Sequence, residues 1–220
     1  MATVSRAKTW DHVVIEDVTW EDYEAQLRII GDRQIRVNYD DGRMEIMSPL
    51  RRHGNGALVL GRMVDTLTDE LNIPIVGADP VTLRRPDLAK GVEPDRLYHL
   101  RDNAAKVPGS REFDFTVDPP PDLIIEVDVT SSSVPRLPIF AALGIPEVWR
   151  IDGGDLRFLH LQPDGTYQPR ERSLAFPVLS LAEAARFLEA GEESDNLTAW
   201  VRTFRAFVRD VLIPRDAGGP

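Results

Sequence analysis

The chain has 220 residues, 42% hydrophobic and 28% charged, which is enough apolar material for a real core in one large domain or one domain with appendages. It holds no cysteine, which excludes disulfides and thiolate metal sites; with only four histidines, carboxylates are the favoured ligands for any metal. A net charge of −10 argues against loose, nonspecific binding to nucleic acid, which needs a basic surface.

No apolar run reaches the ~20 residues that cross a bilayer. The start, MATVSRAKTW, lacks the apolar stretch of a secretory signal. A cytoplasmic protein with no membrane partner is the expectation. The charge is uneven, however. Between residues 43 and 62, Arg43, Arg51, Arg52 and Arg62 stand against Glu45 alone, which is either a basic patch able to meet phosphate or chance clustering on a solvated surface.

In chain order, the first predicted element is a helix from Thr19 to Ile30, started by a capping-box pattern of Thr19 and Asp22 and ended by Gly31. IRVNYDDGRMEIM then reads as a β-hairpin. Ile35, Val37 and Tyr39 alternate before the Asp41-Gly42 turn, and Met44 and Ile46 alternate after it. A helix from about His53 to Leu71 carries the stripe Leu60, Met63, Val64, Leu67 and Leu71. Pro74 opens a strand-rich stretch to about Arg84. From Pro86 to Pro121 the chain is rich in Pro, Asp and Gly and reads mostly as loop, with one short strand within 95–100.

Leu123–Val129 is a strand, half-buried by its pattern. Leu123, Ile125, Val127 and Val129 take one face, and Ile124, Glu126 and Asp128 the other. Ser133 or its neighbours would cap a helix to about Leu143, with Pro135 in its first turn and Gly144 ending it. Val148–Ile151 and Leu156–Leu161 form a second hairpin. Ser180 and Glu183 make another capping box. Leu197, Trp200, Val201, Phe204 and Val208 stripe a final helix, broad enough to pack on the core or on a second subunit as a homodimer. Strands alternating with helices argue for a mixed α/β architecture.

Two features bear on chemistry. Glu126 sits in an apolar strand, where an ionised carboxylate is costly unless it is paired or binds a cation, and Asp128 shares its face. A salt bridge to one of the many arginines would satisfy both equally well. Upstream, Pro94 fixes the approach to Asp95, a second carboxylate on a separate element, and a hard divalent cation wants oxygen ligands from two or more elements.

GVEPDRLYHL followed by PPPDLIIEVDVTSSSVPRLPIFAALGIPEVWRID, with DDGRMEIMSPLRRHGNGALVLGRMVDTL upstream, resembles the Uma-type endonuclease family of the PD-(D/E)XK superfamily. The resemblance spans residues 39–152 and rests on several blocks occurring in the right order. It implies an α/β (α+β) fold with a restriction-endonuclease-like core, a central mixed β-sheet flanked by helices. Residues 39–165 would be that core, 1–38 an N-terminal helix and first strand, and 166–220 a C-terminal helical extension, one domain overall.

The resemblance also makes Asp95 and Glu126 ligands of Mg²⁺ or Mn²⁺, with Asp128 beside them, and places Glu45 and His53 on the family's acidic and histidine positions. Where the superfamily motif has lysine, position 128 is Asp. The family's shifted lysine falls on Arg136, which keeps the charge but does not lose its proton. Lys90 is the lysine nearest to Asp95 along the chain. Two readings stay open: a metal-dependent endonuclease acting on DNA, with Arg136 steadying charge on the phosphate, or a nuclease fold that has lost catalysis and serves as a binding or oligomerisation module.

Overall fold

The computed structural model describes residues 12–33, 35–47, 53–78, 81–107, 113–128 and 134–217. Helix α1 (Trp20–Ile30) starts as its sequence dictates: the Asp22 amide donates to Thr19 Oγ1 at 3.1 Å, and the Thr19 amide donates back to the Asp22 carboxylate at 3.0 Å. Before it lies a strand that the sequence did not announce, β1 (His12–Ile15). The predicted hairpin is β2 (Arg36–Asp40) and β3 (Arg43–Met47). Its two turn residues, Asp41 at φ +44° and Gly42 at φ +92°, both take the left-handed conformation that a two-residue hairpin loop requires.

Strand alternation then separates the faces of this hairpin. Val37, Tyr39, Met44 and Ile46 pack with Tyr23 and Ile30 of α1, while Arg36, Asn38, Glu45 and Met47 fall on the opposite face. That second face becomes one wall of the candidate site.

Helix α2 (His53–Glu70) follows, then β4 (Ile75–Ala78), β5 (Leu83–Arg85), β6 (Lys90–Val92) and β7 (Arg96–Leu100). The stretch expected to be mostly loop thus carries a further strand, β6, and a short helix α3 (Asp102–Lys106). Strand β8 (Leu123–Asp128) leads through α4 (Arg136–Ala142) to β9 (Glu147–Asp152), which lies parallel to β8; β10 (Asp155–Leu161) and β11 (Tyr167–Arg170) complete the strands. The Ser131–Ser133 cap and Val129 lie outside the described residues.

Two sheets result. One runs β1-β3-β2-β6-β5 and is antiparallel throughout; the other is mixed, in the order β11-β10-β9-β8-β7-β4. This is the expected mixed α/β architecture. Strand β8 is not half-buried, as the pattern suggested, but buried on both faces from Leu123 to Val127. Leu123, Ile125 and Val127 pack with Trp149, Phe158 and the α2 stripe, and Ile124 packs with Ile139, Phe140 and Val148 on the other side. Each of these side chains contributes about 1.5–3 kcal/mol by leaving water.

Helices α5 (Leu181–Glu192) and α6 (Leu197–Phe207) close the first of these layers, and a π-helical turn (Val208–Leu212) and α7 (Ile213–Ala217) follow. Of the C-terminal stripe, Trp200, Phe204 and Val208 are buried against Leu188, Phe187 and α2, while Leu197 and Val201 are partly buried beside them. Among the described residues no helix is long and apolar enough to cross a membrane.

The α5 capping box carries an extra tie. Burial raises the Glu183 carboxyl, but hydrogen bonds from Arg215 (2.8 Å) and Ser180 outweigh it and hold it at about 2. A depressed folded pKa means that this stabilisation is present above the ordinary value of 4.5 and fades as pH falls towards 2. Glu183→Gln is therefore expected to cost about 1–2 kcal/mol at neutral pH, after discounting for the exposed Arg215, and almost nothing near pH ~2. Urea unfolding at both pH values checks this; an equal cost at both would contradict it.

Candidate active site

Pro94 decides where the first carboxylate goes. It has no N–H to continue the β7–β8 ladder, whose last pair is Arg96 with Ile125. One step further along the same register, Asp95 stands opposite Glu126. Its side chain takes over the lost pairing, with Asp95 Oδ2 accepting the Val127 amide at 2.7 Å. The other oxygen, Oδ1, accepts from Arg36 Nη1 of β2 at 2.5 Å, and Arg36 Nε lies 3.4 Å from Glu93. Asp95 is thereby fixed between the two sheets and only 5% exposed.

Glu126 is more deeply buried, at 1% exposed. It forms an ion pair with Arg136, the first residue of α4. Beyond that pair, neither carboxylate oxygen has a hydrogen bond among the described residues, and Arg136 Nε has none either. Arg136 Nη2 donates to Met47 Sδ at 2.8 Å. Burial lowers the Arg136 guanidinium from its ordinary range, and Asp95 is the strongest charge drawing it back up.

Asp128 accepts from Arg150 Nε at 2.5 Å, and Arg150 also lies 3.6 Å from Asp152. Burial pushes the Asp128 carboxyl up, against the pull of the Arg150 hydrogen bond. The strand register sets these groups in a row. Glu126 pairs with Arg150 across β8–β9, and Arg150 with the exposed Arg157 across β9–β10. Asp95, Glu126, Arg150 and Arg157 thus lie side by side on one face of the mixed sheet, strand spacings of ~4.8 Å apart.

Glu45 joins the site from the hairpin wall. It is fully buried and accepts from Asn38 Nδ2 at 3.2 Å, and it acts on the charge of Arg136. His53 begins α2, but its side chain lies outside the described residues. So do Arg51 and Arg52 of the basic patch, whose Arg43 pairs with Glu16 at 3.0 Å. Lys90 is not at the site: it pairs with Asp40, its register partner. Lys106 donates to Asn103.

Sequence reasoning assigned no role to Arg36, Asn38, Glu93 or Arg150. The available signal was on the hairpin, where the face opposite Val37 and Tyr39 is polar although it lies inside a strand.

The donors suit a hard divalent cation. Glu126 is a buried carboxylate whose present counter-charge is Arg136, and Asp95 stands beside it, so two carboxylates from separate strands lie together as a hard divalent cation wants. Among the described residues no three acidic or imidazole groups converge as a ready metal cage. Mg²⁺ does not require one, since it keeps several waters and takes one or two carboxylates.

The model of the Uma2 family, described as "Putative restriction endonuclease", matches residues 20–189. The chain belongs to this family. The region matched to Uma2 takes in both walls of the candidate site, from Arg36 to Arg157. No curated protein matches the chain. The β6 strand and the short α3, which composition hid, both lie within the Uma2 region.

Proposed function

We propose that this Uma2 protein is a divalent-metal-dependent endonuclease that hydrolyses DNA phosphodiester bonds at the Asp95–Glu126 pair. The observation that carries the reading is the pairing of Glu126 with Asp95: two buried carboxylates on adjacent strands, opposite each other in register. Bound there, Mg²⁺ or Mn²⁺ would supply Lewis-acid polarisation of the phosphodiester and make water more acidic.

The chain's own residues supply the rest. Asp95 is oriented by the Val127 amide and Arg36, so one carboxylate is positioned before any ligand arrives. Arg136 offers a fixed positive charge for the phosphate oxygens as negative charge builds, a role that needs no proton transfer. Asp128, tied to Arg150, lines the same face as a third carboxylate near the ion. Arg157, exposed at the end of the row, would meet a neighbouring phosphate of the DNA strand. Residues 39–165 would form the nuclease core, braced by 1–38 and 166–220. A cytoplasmic location goes with this substrate.

One observation favours the second reading, a nuclease fold kept as a binding module. The described lysines bond Asp40 and Asn103, leaving only arginine at the site. Supercoiled plasmid separates the two. The proposal expects nicking or linearisation with Mg²⁺ or Mn²⁺ that stops with EDTA. Intact plasmid under every metal condition, from a folded protein, would hand the site to the binding-module reading.

A further inference from the structure

We infer that Arg136 is a latch on the metal site: its guanidinium holds the cation position of Glu126, and a divalent ion reaches that carboxylate only when Arg136 lets go. The inference rests on the metal-site reading above and adds its regulation.

Both partners of the pair are buried, with side chains 8% and 2% exposed, so little water screens one cation from another there. A guanidinium and a divalent ion within about 4 Å of each other at low effective dielectric repel strongly. They are therefore alternative partners of Glu126. The latch is also loosely fastened. Among the described residues Arg136 Nε has no hydrogen bond, and Nη2 spends its bond on the thioether of Met47, a weak acceptor.

Other acceptors surround the released side chain. Asp95, Glu45 and Glu93 all lie close enough to act on its charge. Arg36 already occupies Asp95 Oδ1 and lies 3.4 Å from Glu93, and Asn38 donates to Glu45, so the released guanidinium would share acceptors already in use until a phosphate arrives. Arginine suits the role better than lysine would. Its charge is permanent and its planar fork can pass from a carboxylate to a phosphate without a proton moving. The exchange of lysine for arginine then reads as a change in how the ion is admitted.

The test is Mn²⁺ titration calorimetry, with no DNA present, on the parent, Arg136→Gln and Arg136→Lys, paired with thermal melts in EDTA and in Mn²⁺. The latch predicts Mn²⁺ binding about tenfold tighter or more in Arg136→Gln, with Arg136→Lys in between, because the repelling charge is removed or becomes more mobile. It further predicts that Arg136→Gln melts below the parent in EDTA and gains more from Mn²⁺, since the ion replaces the missing counter-charge. If Arg136→Gln does not fold without metal, the comparison of Arg136→Lys with the parent decides in the same direction. Equal or weaker Mn²⁺ binding in the variants overturns the latch. No Mn²⁺ binding by any of the proteins overturns the latch and the metal site together. Tighter binding by Arg136→Gln, together with intact plasmid in the cleavage assay above, keeps the latch and removes the nuclease reading.

Discussion

Replacing Glu147 by alanine is expected to destabilise the protein by about 3–5 kcal/mol without touching metal binding. Glu147 lies in the Gly-Ile-Pro-Glu-Val-Trp segment that helped to mark the family, yet its place is structural. It is fully buried, and its two oxygens accept from the Leu174 amide (2.9 Å), the Ala175 amide (2.7 Å), Ser173 Oγ (3.1 Å) and Trp149 Nε1 (3.1 Å). Those bonds pin the loop after β11 to the mixed sheet. Alanine would leave the donors buried and unpaired, and an unmade buried bond costs more than a made one contributes. Urea unfolding measures the loss, and a change below about 1 kcal/mol would contradict the assignment. Glu147→Gln should fall between, because an amide keeps one acceptor oxygen.

At the site the order of effects reverses. Glu126→Gln and Asp95→Asn are expected to lower metal-dependent cleavage by at least ~10²–10³, the range seen when one preorganised electrostatic contact is lost. Glu126→Gln should also destabilise, since it strands the buried Arg136 guanidinium. The double change Glu126→Leu with Arg136→Leu, by contrast, is expected to be neutral or stabilising by up to about 4 kcal/mol, as apolar replacements of buried ion pairs often are. A pair that costs stability and is needed for cleavage is one retained for function. Near-parental cleavage by Glu126→Gln, or strong destabilisation of the double variant, would speak against this.

Local signals carried the fold a long way. The Thr19–Asp22 and Ser180–Glu183 capping boxes and the Asp41-Gly42 turn act over four residues or fewer, so the sequence displays them whole. Strand β8 was legible as a strand, but its burial was not. Its polar residues, Glu126 and Asp128, suggested a wet face, whereas guanidiniums from α4 and β9 cover them. Strand β6 was hidden by the Pro- and Gly-rich composition around it, and its pairing with β2 and β5 is a long-range matter.

The site follows the same division. Asp95 and Glu126 stand out because a carboxylate in an apolar strand, or behind a proline, is locally anomalous. Arg36 is an ordinary residue of an alternating strand until residue 95 is brought to it. Nothing near residue 36 in sequence announces a contact made 59 positions away. Arg36 and Arg150 are therefore a product of topology, brought to the carboxylates only by the fold, whereas the family resemblance had already marked Arg136.

The central claim is that Asp95 and Glu126 share one divalent ion, and Mn²⁺ titration calorimetry on the parent, Asp95→Ala and Glu126→Ala tests it most directly. The account predicts a single site in the parent, weak because Arg136 competes for Glu126, and loss of that site in either variant while the fold persists. Mn²⁺ binding that is unchanged in both variants would contradict it.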